Sequence, residues 1–258
     1  GDQPEQPGPP DETASLRETR SPAGPLPQQS QQGGFVSSES CRECHKQEHS
    51  SWHDSFHRTM TQVATPETVV GSFDNVTLNS RGRDYHLKRR GDEFLVTMAD
   101  PDWEVSAQGM GAQLSQISNP PIVTRRIVMT TGSHHMQEYW VSSNFGNQLR
   151  QLPWYFLIPE QRWVPREDVF IEPPDTPRHF MVWNDNCIVC HSVGGRPGID
   201  SVRQTVFTEV AELGISCEAC HGPGQQHVLA QRNIAEGRKV ATTQQDTIVN
   251  PARLDSHS

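Results

Sequence analysis

The chain has 258 residues, enough for one or two domains, and only 33% of them are hydrophobic. Gly supplies 19 positions and Pro 20, so the polypeptide alone builds a modest core and some other apolar mass is expected. The net charge of −9 argues against a nucleic-acid partner, and no apolar run approaches the roughly 18 residues of a membrane span, so no transmembrane segment is expected.

Residues 1–34 hold seven prolines and no aromatic residue. That composition cannot fold alone and reads as a Pro-rich extended tail. Such segments gain order by lying along a surface. The tail is therefore expected to pack along its own domain or along a neighbouring subunit. Residues 40–62 (SCRECHKQEHSSWHDSFHRTMTQ) lack Gly and Pro and predict one helix. Residues 68–99 alternate and are punctuated by RGRD and RRGDE, two hairpin turns between strands. Residues 122–142 again favour strand, and together they define a β-rich insert at about 68–145. Residues 152–165 (LPWYFLIPEQRWVP) crowd proline and aromatic residues and read as irregular packing. A helix is expected over 201–213. Residues 231–258 form a polar C-terminal segment.

All six cysteines fall in three pairs: CRECH at 41–45, CIVCH at 187–191 and CEACH at 217–221. Each pair is CxxC, a histidine follows at once, and no cysteine is left over. Structural zinc would want two CxxC pairs close together or a cysteine pair with spaced histidines, and would leave these trailing histidines unexplained. A redox CxxC would be single and would follow a strand in a βαβ unit. CxxCH is the attachment signature of c-type haem. Two intervening residues let both thiols reach the two vinyl groups on one porphyrin edge, and the adjacent histidine falls beneath the iron. The expected cofactors are three covalently bound haem c groups. Cys41, Cys44, Cys187, Cys190, Cys217 and Cys220 bind the porphyrins, and His45, His191 and His221 are the proximal iron ligands.

Nine histidines remain for the distal positions. On one helix, His45, His49, His53 and His57 would share a slowly drifting face. A rigid helix that holds an iron from below cannot curl round to hold it from above, so His57 should serve a different haem. His49 and His53 are expected to be solvated or bonded to a propionate. Gly222, Pro223 and Gly224 break the chain between His221 and His227. Six residues span about 20 Å at most, too little to round a porphyrin edge, so His227 should also serve a neighbouring haem. The third candidate is His134 or His135. Adjacent histidines on a strand point to opposite faces, so one of the two is expected to reach a given iron. His179 and His257 are reserves, His86 is expected to be exposed, and the methionines rank behind the histidines.

With these residues aligned, the chain resembles bacterial multihaem c-type cytochromes, in particular the haem-bearing region often fused to tetratricopeptide repeats. The likeness rests on CRECHKQEHSSWHDSFHRTM, TPETVVGSFDN, VWNDNCIVCHS and GISCEACHGPGQQHV, and spans residues 35–230. The resemblance implies that His57 and His227 are distal ligands. It also implies an α+β multihaem cytochrome fold, with much irregular structure, short helices around the haems and a small antiparallel β region. This chain lacks the repeats and stops after an NP..L stretch at 250–254.

The function expected is a trihaem electron carrier. Close-packed haems with two histidines each form a path for single electrons and leave no open iron site. Six propionates would take the charge to about −15, which favours basic redox partner proteins. Self-assembly through the tail or a shared haem ligand is a variant of this expectation. The alternative is a redox enzyme acting on a small nitrogen or sulfur species at an open haem. A c-type cytochrome needs export, so a periplasmic or extracellular protein with Gly1 near a processed N-terminus is expected.

Overall fold

The computed structural model describes residues 24–171, 173, 176–241, 247–251 and 254. Most of residues 1–34, and His257, lie outside the described residues. The described part of the tail runs along its own domain. Strand β1 (Gln28–Gln29) pairs with a strand near residue 209, and Leu26 packs on the core.

Residues 40–62 do not form one helix. They divide into α1 (Ser38–Arg42), α2 (Lys46–His53), a 3-10 turn at Arg58–Met60, and strand β2 (Thr61–Val63). Two local causes break the run. His45 leaves helical geometry at φ −109 and ψ 56. After His53, the Ser55 hydroxyl bonds the Trp52 carbonyl at 2.6 Å, an alternative to the helical ladder that serine favours. The four histidines therefore do not share one helical face.

The antiparallel sheet is far larger than a small β region. It continues with β3 (Val76–Ser80), β4 (Arg83–Arg90) and β5 (Glu93–Ala99), joined by turns at the two expected sites. Helix α3 (Pro101–Gly109) follows, capped by the Asp100 side chain on the Asp102 amide. Then come β6 (Ile122–Thr131), β7 (Met136–Ser142), β8 (Leu149–Leu157) and β9 (Arg162–Pro165). Strands β3 to β9 pair in sequence order, and the eight-stranded sheet curls into a nearly closed barrel. The ten-residue β6 has room for two neighbours on one edge: β5 pairs with its first half and β2 with its last three residues. Alternate side chains fill the inside with Phe73, Tyr85, Leu87, Val96, Tyr139, Trp154 and Phe156.

Residues 152–165 are thus strand, not irregular packing. The prolines mislead because each sits where a strand tolerates it. Pro153 lies at a break in the β7–β8 register, where Glu138 faces Tyr155 but Trp140 faces Gln151, and Pro165 ends β9.

A short α4 (Arg166–Val169) leads to the second motif, entered through a π turn at Trp183–Cys187 and closed by α5 (Ile188–His191). Beyond it lie β10 (Ser192–Val193), β11 (Ile199–Asp200), β12 (Thr205–Val206), β13 (Glu209–Val210) and β14 (Glu212–Leu213). The helix expected over 201–213 is absent. Val206, Thr208 and Val210 are buried at a period of two, and that alternation outweighs helical propensity. Strand β1 pairs in parallel with β13. The third motif is α6 (Cys217–His221), and α7 (Gln225–Ala235) follows the Gly222–Gly224 break. Among the described residues, no helix is long and apolar enough to cross a membrane.

Candidate haem-binding site

Each CxxCH motif is displayed in the same way. The first cysteine is half-buried and the second is exposed. The residue after the first cysteine anchors the second and third motifs, but by different chemistry. Ile188 is a buried apolar plug in a cluster with Trp140, Leu149 and Trp183. Glu218 is buried too, and its carboxylate accepts from the amides of Val36, Ser37 and Gly224 at 2.7–3.1 Å.

Those bonds join the first motif to the third. Glu212 adds to the clasp by accepting from the Ser38 amide and hydroxyl. The Trp52 indole donates to the Ile215 carbonyl at 2.8 Å, and the Ile215 amide donates to His57 O at 3.0 Å. Helices α1 and α6 pack together, which brings Cys41 and Cys217 close enough to shift each other's proton affinity.

Beside this clasp, the rings of His45 and His227 face each other. Their centroids are 6.2 Å apart and their planes differ by 25°. A metal–imidazole bond is about 2.0–2.1 Å long, so two rings on opposite sides of one metal have centroids roughly 6 Å apart. The ring spacing matches that of two ligands on one iron. His45 comes from the N-terminus of α2 and His227 from α7, so the pair joins the first motif to the segment that follows the third.

The second and third proximal histidines also suit ligation. Burial holds the His191 ring below its usual basicity, which favours the neutral form that binds metal. His221 Nδ1 lies 2.7 Å from the Val249 carbonyl. A carbonyl can only accept, so Nδ1 carries the proton and Nε2 keeps its lone pair for an iron. Val249, bonded to His221, and Val189, within the second motif, are exposed apolar side chains that a porphyrin would cover.

His134 and His135 do not lie on a strand. They sit in the β6–β7 loop, both exposed, with rings 4.0 Å apart. The alternating-face argument therefore fails for them. His134 stacks on Phe56 at 4.1 Å, and Thr59 bonds Ser133 at 2.6 Å, so the pair gathers beside His57. That corner adjoins both later motifs: the Ile215 amide bonds His57 O, and the Gly214 amide bonds His191 O. His53, His86 and His179 are exposed. His49 is not solvated: it is 6% exposed, packs on Trp52, and has Nε2 3.7 Å from Glu39.

The sequence reading missed the residues that hold the motifs in place. Asn184 is fully buried. Its side chain accepts from the Leu149 amide at 2.7 Å and donates to Asn147 O and Thr208 Oγ1. Asn147 in turn bonds Thr208 and Leu26. One polar network thereby ties the sheet, the second motif, β13 and the tail. The only local signal is the cluster of asparagines in VWNDN before CIVCH.

Residues 174–222, which contain CIVCH and CEACH, match the family model "Cytochrome c554 and c-prime". No curated protein matches the chain. A solved structure titled as that of the outer cell wall cytochrome OcwA is similar over 81% of this chain, at 17% identity and a TM-score of 0.47. The chain spans 35% of that protein's length. The family match supports a c-type cytochrome bearing covalent haem in the region of the second and third motifs.

Proposed function

We propose that the chain is a trihaem c-type cytochrome that carries single electrons between partner proteins. The observation that carries this reading is the His45–His227 pair, two near-parallel rings spaced for one iron and supplied by different motifs. When bound, haem supplies the one-electron couple, and the chain sets its potential through axial ligands, burial and hydrogen bonds.

On this reading His45 and His227 hold the first haem. His57 and one of His134 or His135 serve the haems of the second and third motifs, which adjoin their corner. The Cys41–Cys217 contact brings the attachment edges of the first and third haems together, which favours electron exchange between them. Bis-histidine ligation throughout leaves no vacant iron for substrate, which favours a carrier over a redox enzyme. The acidic charge suits a basic partner, and covalent haem suits a periplasmic or extracellular protein. Assembly through the tail or through a shared ligand belongs to the same proposal.

The test is the spin state of the purified holoprotein. Peptide masses should place one haem on each CxxC pair, and low-temperature EPR should show only low-spin ferric haem, with no carbon monoxide adduct after reduction. A stoichiometric high-spin haem that binds carbon monoxide would favour the enzyme instead.

A further inference from the structure

The break in the β7–β8 register gathers three polar side chains on the side of the sheet that meets the second motif. Two residues of β7, Glu138 and Trp140, pair with Tyr155 and Gln151, so β8 carries extra residues between them. Register breaks of this kind re-aim side chains. Here Gln151 Nε2 bonds both the Glu138 carboxylate, at 3.3 Å, and the Tyr155 hydroxyl, at 2.6 Å. Tyr155 also bonds Glu138. Glu138 is close enough to Cys187 to raise the proton affinity of its thiol, second only to burial. Glu138 shares its face of β7 with Trp140, which packs in one cluster with Ile188, Trp183 and Cys187, so a half-buried carboxyl stands beside the attachment edge of the second motif.

We propose that Glu138 is a proton-accepting group coupled to the haem held by Cys187, Cys190 and His191. This rests on the proposed function only for the presence of that haem. As one electron from an external one-electron reductant reaches the iron, Glu138 takes one proton from solvent and forms one O–H bond. Oxidation reverses both transfers. The combined charge of haem and carboxyl then stays constant, which is the arrangement a low-dielectric site favours.

The surroundings suit the role. Burial pushes the Glu138 carboxyl up to about 7, against the opposing hydrogen bonds of Tyr155 and Gln151 and the positive charge of Arg166. Tyr155 from β8, Arg166 from α4 and Cys187 from the second motif are the titratable or charged groups whose interactions with it are resolved. The exposed Asp185 acts on the same cysteine. A more negative, reduced haem raises the carboxyl's proton affinity, so the potential should fall as pH rises through the Glu138 range.

The experiment is a spectroelectrochemical titration of the holoprotein from pH 5 to 9. One haem should lose up to about 59 mV per pH unit, the one-electron value for a tenfold change in proton activity. In Glu138→Gln that slope should vanish from this haem. The redox-difference infrared spectrum should also lose its protonated-carboxyl band. Tyr155→Phe keeps the carboxyl and removes a bond to its ionised form, so the slope should persist with its inflection at higher pH. An unchanged slope in Glu138→Gln, or no slope in the wild type, would overturn the coupling. If peptide masses show haem on Cys187 and Cys190, the proposed function survives that outcome; if they show none there, the failure is of that reading.

Discussion

The second motif stands on a finished apolar core, whereas the first and third stand on each other. Around CIVCH, Ile188 locks into Trp140, Leu149 and Trp183, and a buried asparagine network ties the motif to the sheet. Around CRECH and CEACH there is no comparable apolar cluster among the described residues. Two acidic side chains hold backbone amides across the gap, with the His45 and His227 rings paired beside them. Arg232 and Glu43 add an ion pair at 2.7 Å, but it is exposed and contributes little. One part of the molecule is thus a protein-built scaffold. The other is held by polar contacts between its two motifs.

The largest effect that separates the two is expected from Glu218→Ala. It leaves the amides of Val36, Ser37 and Gly224 without partners, at about 1–3 kcal/mol each, and the total should approach about 4 kcal/mol. Urea unfolding followed at the haem bands should show the axial ligation of the first and third haems lost early while the sheet persists. Simultaneous loss of all signals would mean that the two parts are one cooperative unit.

A smaller effect, about 3 kcal/mol, is expected from Asn184→Ala, which orphans the Leu149 amide and the Asn147 carbonyl and leaves the Thr208 hydroxyl only its bond to Pro197 O. Here the order should invert. Tryptophan fluorescence and the second haem should respond first, with the His45–His227 haem little changed. Urea melts that resemble those of Glu218→Ala would erase the distinction.

The same contrast explains what was legible in the sequence. The haem motifs are local, and six cysteines in three identical frames leave little choice. The hairpins at RGRD and RRGDE are local too, because turn chemistry and alternation carry them. The stripe His45–His57 misled because a four-residue spacing says nothing about a break at His45 or at Ser55. The β8 and β9 strands were hidden by prolines whose positions become permissible only once the register break exists. Glu138 and Glu218 gave no signal and Asn184 only the asparagines beside it, since each is defined by partners far along the chain. For His227, chain length argues away from its own motif's haem, while its approach to His45 is set by packing that no local pattern carries.

The central claim is that His45 and His227 share one iron. The most direct measurement is carbon monoxide binding to reduced His227→Ala holoprotein, with and without removal of the first haem by Cys41→Ser and Cys44→Ser. The account predicts that His227→Ala opens one haem of three to carbon monoxide, and that this site disappears with the first haem. A site that persists after the first haem is gone, or three haems that all stay closed, would contradict it.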